Sequence, residues 1–277
     1  PATFDIDFSV TQPMFCFTNL GAVKSQPATN WHFKSNIPLR DALIILQKES
    51  ATFKVADGED SLSLHFKGSF PAFNQLTSWA KISAFVLSEW GYKPQQNIQF
   101  LFLNKKGLQS SENLILLAHS NQTDDVEASI VEQFVHVLAR EKLSINPAKH
   151  PWLVDGLAAY YKQLFYQEYY PEKRLLGPLA QTSVARFFDV DHYPIRYQNR
   201  MMYLYMSRQG LDQPLSDPIT NYSRANRQAV ITGKSTLVFS YLRNYTGERN
   251  FKRSMQHWLQ NSVGENNPET LLAAIRF

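Results

Sequence analysis

Residues 132–136 read Glu132-Gln133-Phe134-Val135-His136, and residues 152–156 read Trp152-Leu153-Val154-Asp155-Gly156. Around the first run, Val126, Ile130, Val131, Phe134, Val137 and Leu138 recur at helical spacing, which predicts an amphipathic helix. Asp124, with Glu127 three residues on, is expected to cap its start. Asn146-Pro147, within the loop 142–150, ends it. Pro151 suits the first turn of a second helix, with Leu153, Leu157, Tyr160, Tyr161 and Leu164 along one side. His136 and Asp155 lie nineteen positions apart, one on each helix. If the helices are neighbours, an imidazole and a carboxylate should meet between them.

Working outward, residues 1–70 are strand-rich in pattern and 71–277 increasingly helical, an α+β arrangement with 71–122 as helix plus sheet and 123–277 helical. Phe4–Val10 alternates in polarity. Phe53–Val55 and Leu62–Phe66 flank Asp57-Gly58, a hairpin turn signal. A short helix is expected around Leu39–Lys48. Phe73–Trp90 has helical spacing and stops at Gly91, and the apolar runs Ile98–Leu103 and Leu114–Ala118 suit buried strands. Further helices are expected over Gln198–Gln209, Leu237–Tyr245 and Phe251–Leu259, with Asn267-Pro268 opening a last one.

Composition limits what the chain can be. Hydrophobic residues at 44% and charged residues at 19% describe a globular protein with a substantial core. The excess of 28 basic over 24 acidic residues is mild and spread out, so no nucleic-acid partner is expected, and Arg224–Arg227 are expected to be solvated loop residues. Cys16 is the single cysteine, which excludes an internal disulfide and a thiolate metal site. No apolar run is long enough to predict a membrane span. A chain starting at Pro1 is expected to be a processed or engineered fragment, and a periplasmic or secreted location is expected over a cytoplasmic one.

The two quoted runs resemble the aminopeptidase N family of zinc metallopeptidases, the gluzincins with a thermolysin-like fold. The family pattern is His-Glu-x-x-His, eighteen residues, then Glu within a Trp-Leu-Asn-Glu-Gly-Phe-Ala run. Here the interval is the same and the frame Trp152-Leu153-x-Asp155-Gly156-x-Ala158 persists. Trp90-Gly91-Tyr92-Lys93-Pro94 is similar to a Phe-Gly-x-x-Pro segment. Glu112 and Asn113 are similar to the end of Gly-x-Met-Glu-Asn, whose Glu holds a substrate's amino terminus. Thr232-Gly233-Lys234-Ser235 is similar to Tyr-x-Lys-Gly, and Thr246-Gly247-Glu248 with Phe251 to Leu-Gly-Glu-x-x-Phe. The resemblance covers roughly residues 75–277 and implies a thermolysin-like catalytic-type domain.

Carried over, the resemblance puts Glu132 and His136 at the two zinc His positions, Asp155 at the ligand Glu, Gln133 at the general base and Thr232 at the Tyr that stabilises the tetrahedral intermediate. Gln133 cannot take a proton from water, and loss of a general base costs on the order of 10²–10⁴-fold in rate. Thr232 is too short to donate where a Tyr hydroxyl would, a loss on the order of 10²–10³-fold. No catalytic residue is therefore expected, and the chain is expected to be a pseudopeptidase that binds a peptide or protein partner. No metal is expected: Glu132 and Asp155 are read as paired or solvent-facing and His136 as an interior hydrogen-bonding residue. One alternative is an active hydrolase in which Glu132, His136 and Asp155 hold Zn²⁺ or a harder divalent ion weakly. The other is an unrelated helical binding protein. The remaining histidines show no ligand spacing or stand alone, and the aromatics from Tyr160 to Tyr170 are expected to pack the second helix rather than line a groove.

Overall fold

The computed structural model describes residues 2–20, 26–35, 41–48, 51–57, 60–66, 75–92, 98–103, 110–111, 114–118, 122–187 and 189–275. The chain divides into two compact units, one built from residues 1–80 and 94–126, the other from 81–93 and 127–277. The expected boundary near residue 70 falls outside the described residues.

The first unit holds two sheets. Strands β1 (Asp5–Thr18), β2 (Ala28–Lys34) and β3 (Ile44–Gln47) form an antiparallel sheet in the order β2-β1-β3. The strand expected over Phe4–Val10 runs on through an irregularity between Ser9 and Met14, where Pro13 has no N–H to give to the ladder. Phe8 stacks on Trp31 at 5.1 Å, and Cys16, Leu20, Trp31 and Phe33 form the buried centre.

The helix expected around Leu39–Lys48 is a correction: residues 44–47 are strand β3. Leu43-Ile44-Ile45-Leu46 is apolar without a break because both its faces are covered. Ile44 and Leu46 pack on the cluster around Trp31, and Leu43 and Ile45 on one formed by Phe17, Leu101, Leu114 and Leu116. Period-two burial of this kind looks helical or strand-like alike when every position is apolar.

The second sheet runs β4 (Ala51–Asp57), β5 (Asp60–Phe66), β6 (Ile98–Leu103) and β7 (Leu114–Ala118). β4 and β5 pair antiparallel through Asp57↔Asp60, as the hairpin signal predicts, although Gly58 itself lies outside the described residues. β5, β6 and β7 are parallel, and the helix α1 (Gln75–Trp90) lies between β5 and β6 in the chain.

The second unit is helical and includes the short helix α4 (Ser183–Phe187). Ile82, Phe85, Val86 and Trp90 make one buried stripe of α1. They face α3 (Leu157–Tyr169): Phe85 meets Phe165 edge-on at 5.2 Å, and Trp90 lies 4.9 Å from Tyr161. Tyr160, Tyr161, Phe165 and Tyr166 are buried, so the aromatics of this helix are packing groups, as expected. Glu89, also buried, is held by Arg243 and Lys252, each at 2.8 Å, which ties α1 to α7 (Ser235–Thr246) and α8 (Glu248–Gln260). Asn267 and Thr270 cap α9 (Pro268–Ile275) reciprocally, each side-chain oxygen accepting the other's N–H.

Candidate functional site

The helix predicted from residue 124 is α2 (Thr123–Val137). Asp124 lies inside its first turn rather than at its cap. The buried Glu127 carboxylate instead accepts from Lys81 at 2.9 Å and from Tyr170 at 2.6 Å, joining α1, α2 and the end of α3. From Leu138 to Lys142 the helix widens into a π turn, with Leu143 N–H donating to the Leu138 carbonyl at 2.8 Å, five residues back. The second helix also starts with a π turn, over Trp152–Gly156, before α3. A third covers Gln228–Lys234 just ahead of α7. Wide turns are rare and concentrate where a helix presents groups to a site. Two of the three carry residues singled out from the sequence, Asp155 and Thr232.

The two helices bring His136 and Asp155 together: His136 Nδ1 is 3.7 Å from Asp155 Oδ1, both side chains partly buried. That separation is too long for a good direct hydrogen bond. The other carboxylate oxygen of Asp155 faces Arg227, whose guanidinium is 3.9 Å from Oδ2. Arg227 ends the short helix α6 (Arg224–Arg227), so its expected role as a solvated loop residue is corrected: although half exposed, it points its charge at Asp155. Burial pushes the Asp155 carboxyl above the usual carboxylate range. His136 and Arg227 pull it down, Glu132 pushes it up, and the Arg140 charge pulls down, but burial prevails.

Glu132 is engaged elsewhere. Lys162, one turn into α3, donates to its Oε2 at 2.7 Å. Among the described residues, Glu132, His136 and Asp155 are not a trio whose donor atoms all lie within 4.8 Å of one another. The arrangement is therefore a poor fit for zinc: one carboxylate is bound by an ammonium, the other faces a guanidinium, and a cation would have to displace both. Gln133 is half-buried on α2. Glu112 and Asn113 lie outside the described residues. Their neighbour Ser111 forms an antiparallel bridge with Leu114.

Thr232 sits in the third π turn with its hydroxyl donated to the Gln228 carbonyl, so it is satisfied within its own turn. That turn touches the Asp155 turn closely. A Cβ added to Gly156 would collide with the Ser235 side chain and come within 2.7 Å of the Ile231 carbonyl oxygen. Glycine is what allows the backbone beside Asp155 to lie against the start of α7.

Sequence reasoning missed Lys162 and Arg227, the two cations that engage the carboxylates. Lys162 lies seven residues after Asp155, on the same side of a helix, which was a usable signal. Arg227, seventy-two residues on, had none. It also passed over two exposed trios that the fold assembles: Asp5 and Asp7 of β1 with His32 of β2, and Asp189 and Asp191 with His192. The first is created by strand pairing, which sets Asp7 opposite His32. Exposed carboxylates gather in this way without a ligand, and nothing else marks either trio.

No family model matches the chain, and no curated protein matches it. Solved structures do. An M1 zinc metallopeptidase from Deinococcus radiodurans, solved as a mutant bound to a Tyr-Ser-Ala substrate, aligns over the whole chain with a TM-score of 0.65 at 15% identity. The same enzyme without that mutation aligns with a TM-score of 0.64, and yeast LTA4 hydrolase aligns over 98% of the chain with a TM-score of 0.64 at 10% identity. The chain spans about 60% of the length of the bacterial enzyme and 43% of the yeast one. The mixed helix and strand fold of this chain is thus similar to that of the M1 zinc metallopeptidases.

Proposed function

We propose that this chain is a catalytically silent relative of the M1 metallopeptidases, with a thermolysin-like arrangement, that serves as a peptide- or protein-binding module. The observation that carries this reading is the replacement of a metal's charge by side chains. At the positions that would hold zinc, Glu132 is paired with Lys162 at 2.7 Å, and Asp155 faces the Arg227 guanidinium at 3.9 Å with His136 Nδ1 3.7 Å away. Two carboxylates facing a half-buried site would repel one another without a cation between them, and here the protein supplies its own.

The proton chemistry points the same way. Gln133, at the general-base position, has no basic lone pair to take a proton from water, and Asp155 is drawn toward its protonated form by burial. Thr232 spends its hydroxyl on Gln228 and cannot serve as an oxyanion donor where it stands. The structurally similar bacterial enzyme was solved with a tripeptide, which supports peptides as the class of ligand for a site of this shape.

The test is an assay of the purified protein on a panel of aminoacyl and peptide substrates with and without added Zn²⁺, together with elemental analysis. No metal-dependent turnover and no stoichiometric metal are expected. Turnover that His136→Ala abolishes, or one bound zinc per chain, would establish an altered but working hydrolase instead.

A further inference from the structure

On the other side of the third π turn lies α5 (Gln198–Arg208), a helix with no fully buried residue. Its inner side is set by Gly233: a Cβ there would meet the Asn199 carbonyl oxygen at 2.7 Å and Tyr203 Cβ at 2.8 Å. Its outer side carries Tyr197, Arg200, Met201, Leu204, Tyr205 and Arg208, spaced three and four residues apart, and with Tyr193 these line an open concavity of about 570 Å³. Leu204 is 43% exposed and Tyr205 65%.

A surface helix in a globular protein normally turns its apolar stripe inward. This one has a second, outward stripe of Tyr, Met and Leu. Six of the seven lining residues are of types enriched at protein–protein contacts, Tyr, Met and Arg, with Leu204 the exception. The electrostatics select the partner. Arg200 and Arg208 form no ion pair or hydrogen bond among the described residues, and Arg196 lies 5.1 Å over the Tyr197 ring at the same end. Among the described residues, no acidic one lines the concavity. The two arginines, eight residues apart on one helix, stand about 12 Å apart along its axis.

We propose that the outer face of α5 is a docking surface for an acidic segment of a partner protein, one with aliphatic or aromatic side chains between carboxylates spaced to reach Arg200 and Arg208. The apolar residues fill the concavity between Tyr193, Met201 and Tyr205, and the carboxylates pair with the two guanidinium groups, which offer bidentate donors. A second copy of this chain is the less suitable occupant, because the same stripe on both partners would oppose arginine with arginine. The surface is separate from the His136–Asp155 site and does not depend on whether that site binds anything.

The experiment is selection of a displayed random 12-residue peptide library on the immobilised protein, followed by anisotropy of the enriched peptides and sedimentation of the protein alone. Enrichment of sequences with Asp or Glu flanking Leu, Phe or Trp is expected. Their affinity should fall about tenfold or more in the R200E/R208E variant and with added salt, and stay unchanged in H136A. Both arginines are exposed and without ion-pair or hydrogen-bond partners among the described residues, so circular dichroism should show the variant folded. Enrichment of basic or uncharged sequences, no enrichment, retention of binding by R200E/R208E, or self-association relieved by Tyr205→Glu would each overturn the proposal. Peptides that bind R200E/R208E equally but fail on H136A would instead mark the His136–Asp155 site.

Discussion

Lys162 of α3 donates to the Glu132 carboxylate of α2 at 2.7 Å, one cation set against one acid across two packed helices. The bond joins the same two helices that a shared metal would join. With Arg227 facing Asp155 at 3.9 Å, both carboxylates have protein cations beside them.

That relationship predicts the response to metal. Wild type dialysed against Zn²⁺ should retain none in stoichiometric amount. Removing both cations in Lys162→Ala/Arg227→Ala frees Glu132 and Asp155 beside His136, and zinc affinity by titration calorimetry should rise at least about tenfold. Equal affinity in the two proteins would show that the cations are not what keeps metal out.

Asp155 should set a pH dependence of its own. Burial raises its folded-state pKa above the unfolded value, near 3.9. Below the unfolded value the Asp155 carboxyl is protonated in both states and its own contribution to stability is fully present. That contribution is lost as pH rises through the folded-state pKa, where the carboxylate must ionise in a partly buried place. Asp155→Asn should therefore melt higher than wild type at pH 7, the difference closing toward pH 4. A variant that melts lower at pH 7 would mean that the His136 and Arg227 contacts outweigh burial.

The opposite sign is expected at Glu248. Its pKa is lowered, first by the hydrogen bond from Lys252 and then by the Arg243 charge, so it adds stability above the unfolded carboxylate pKa that disappears as pH falls through the folded one. In the same network Glu89 is 1% exposed between Arg243 and Lys252. Glu89→Ala leaves Arg243, partly buried, without its main partner and should cost about 3 kcal/mol in urea unfolding. Glu248→Gln should cost far less, and should lose less stability than wild type as pH falls through the carboxylate range.

Gly156→Ala tests the packing beside Asp155. The added methyl would collide with Ser235 at the start of α7 and with the Ile231 carbonyl in the turn before it, both buried. Overpacking of this kind costs about 1–3 kcal/mol, read as a lower urea midpoint at unchanged slope. A neutral result would mean that the Gln228–Lys234 turn yields easily.

Periodicity was enough for the longer helices of the second unit, and not for the short ones over Ser183–Phe187 and Arg224–Arg227. The stripe from Val126 to Leu138 and the pattern after Pro151 produce α2 and α3 because their burial is written at the helical period, and the unbroken apolar run 114–118 produces β7, which is buried on both faces. It failed at residues 43–46, where burial on two faces erased the period. It was silent on the π turns, since a single extra residue in a helical turn leaves no mark in a short apolar pattern.

Chemistry divides along the same line. Gln133 and Thr232, and the nineteen positions from His136 to Asp155, are properties of the chain itself, and they settle which groups are available to take or give a proton. Which charges stand beside Glu132 and Asp155 was decided only on folding. Lys162 reaches Glu132 across thirty positions and Arg227 reaches Asp155 across seventy-two, and an ion pair between side chains so far apart exists only once packed helices hold both ends in place.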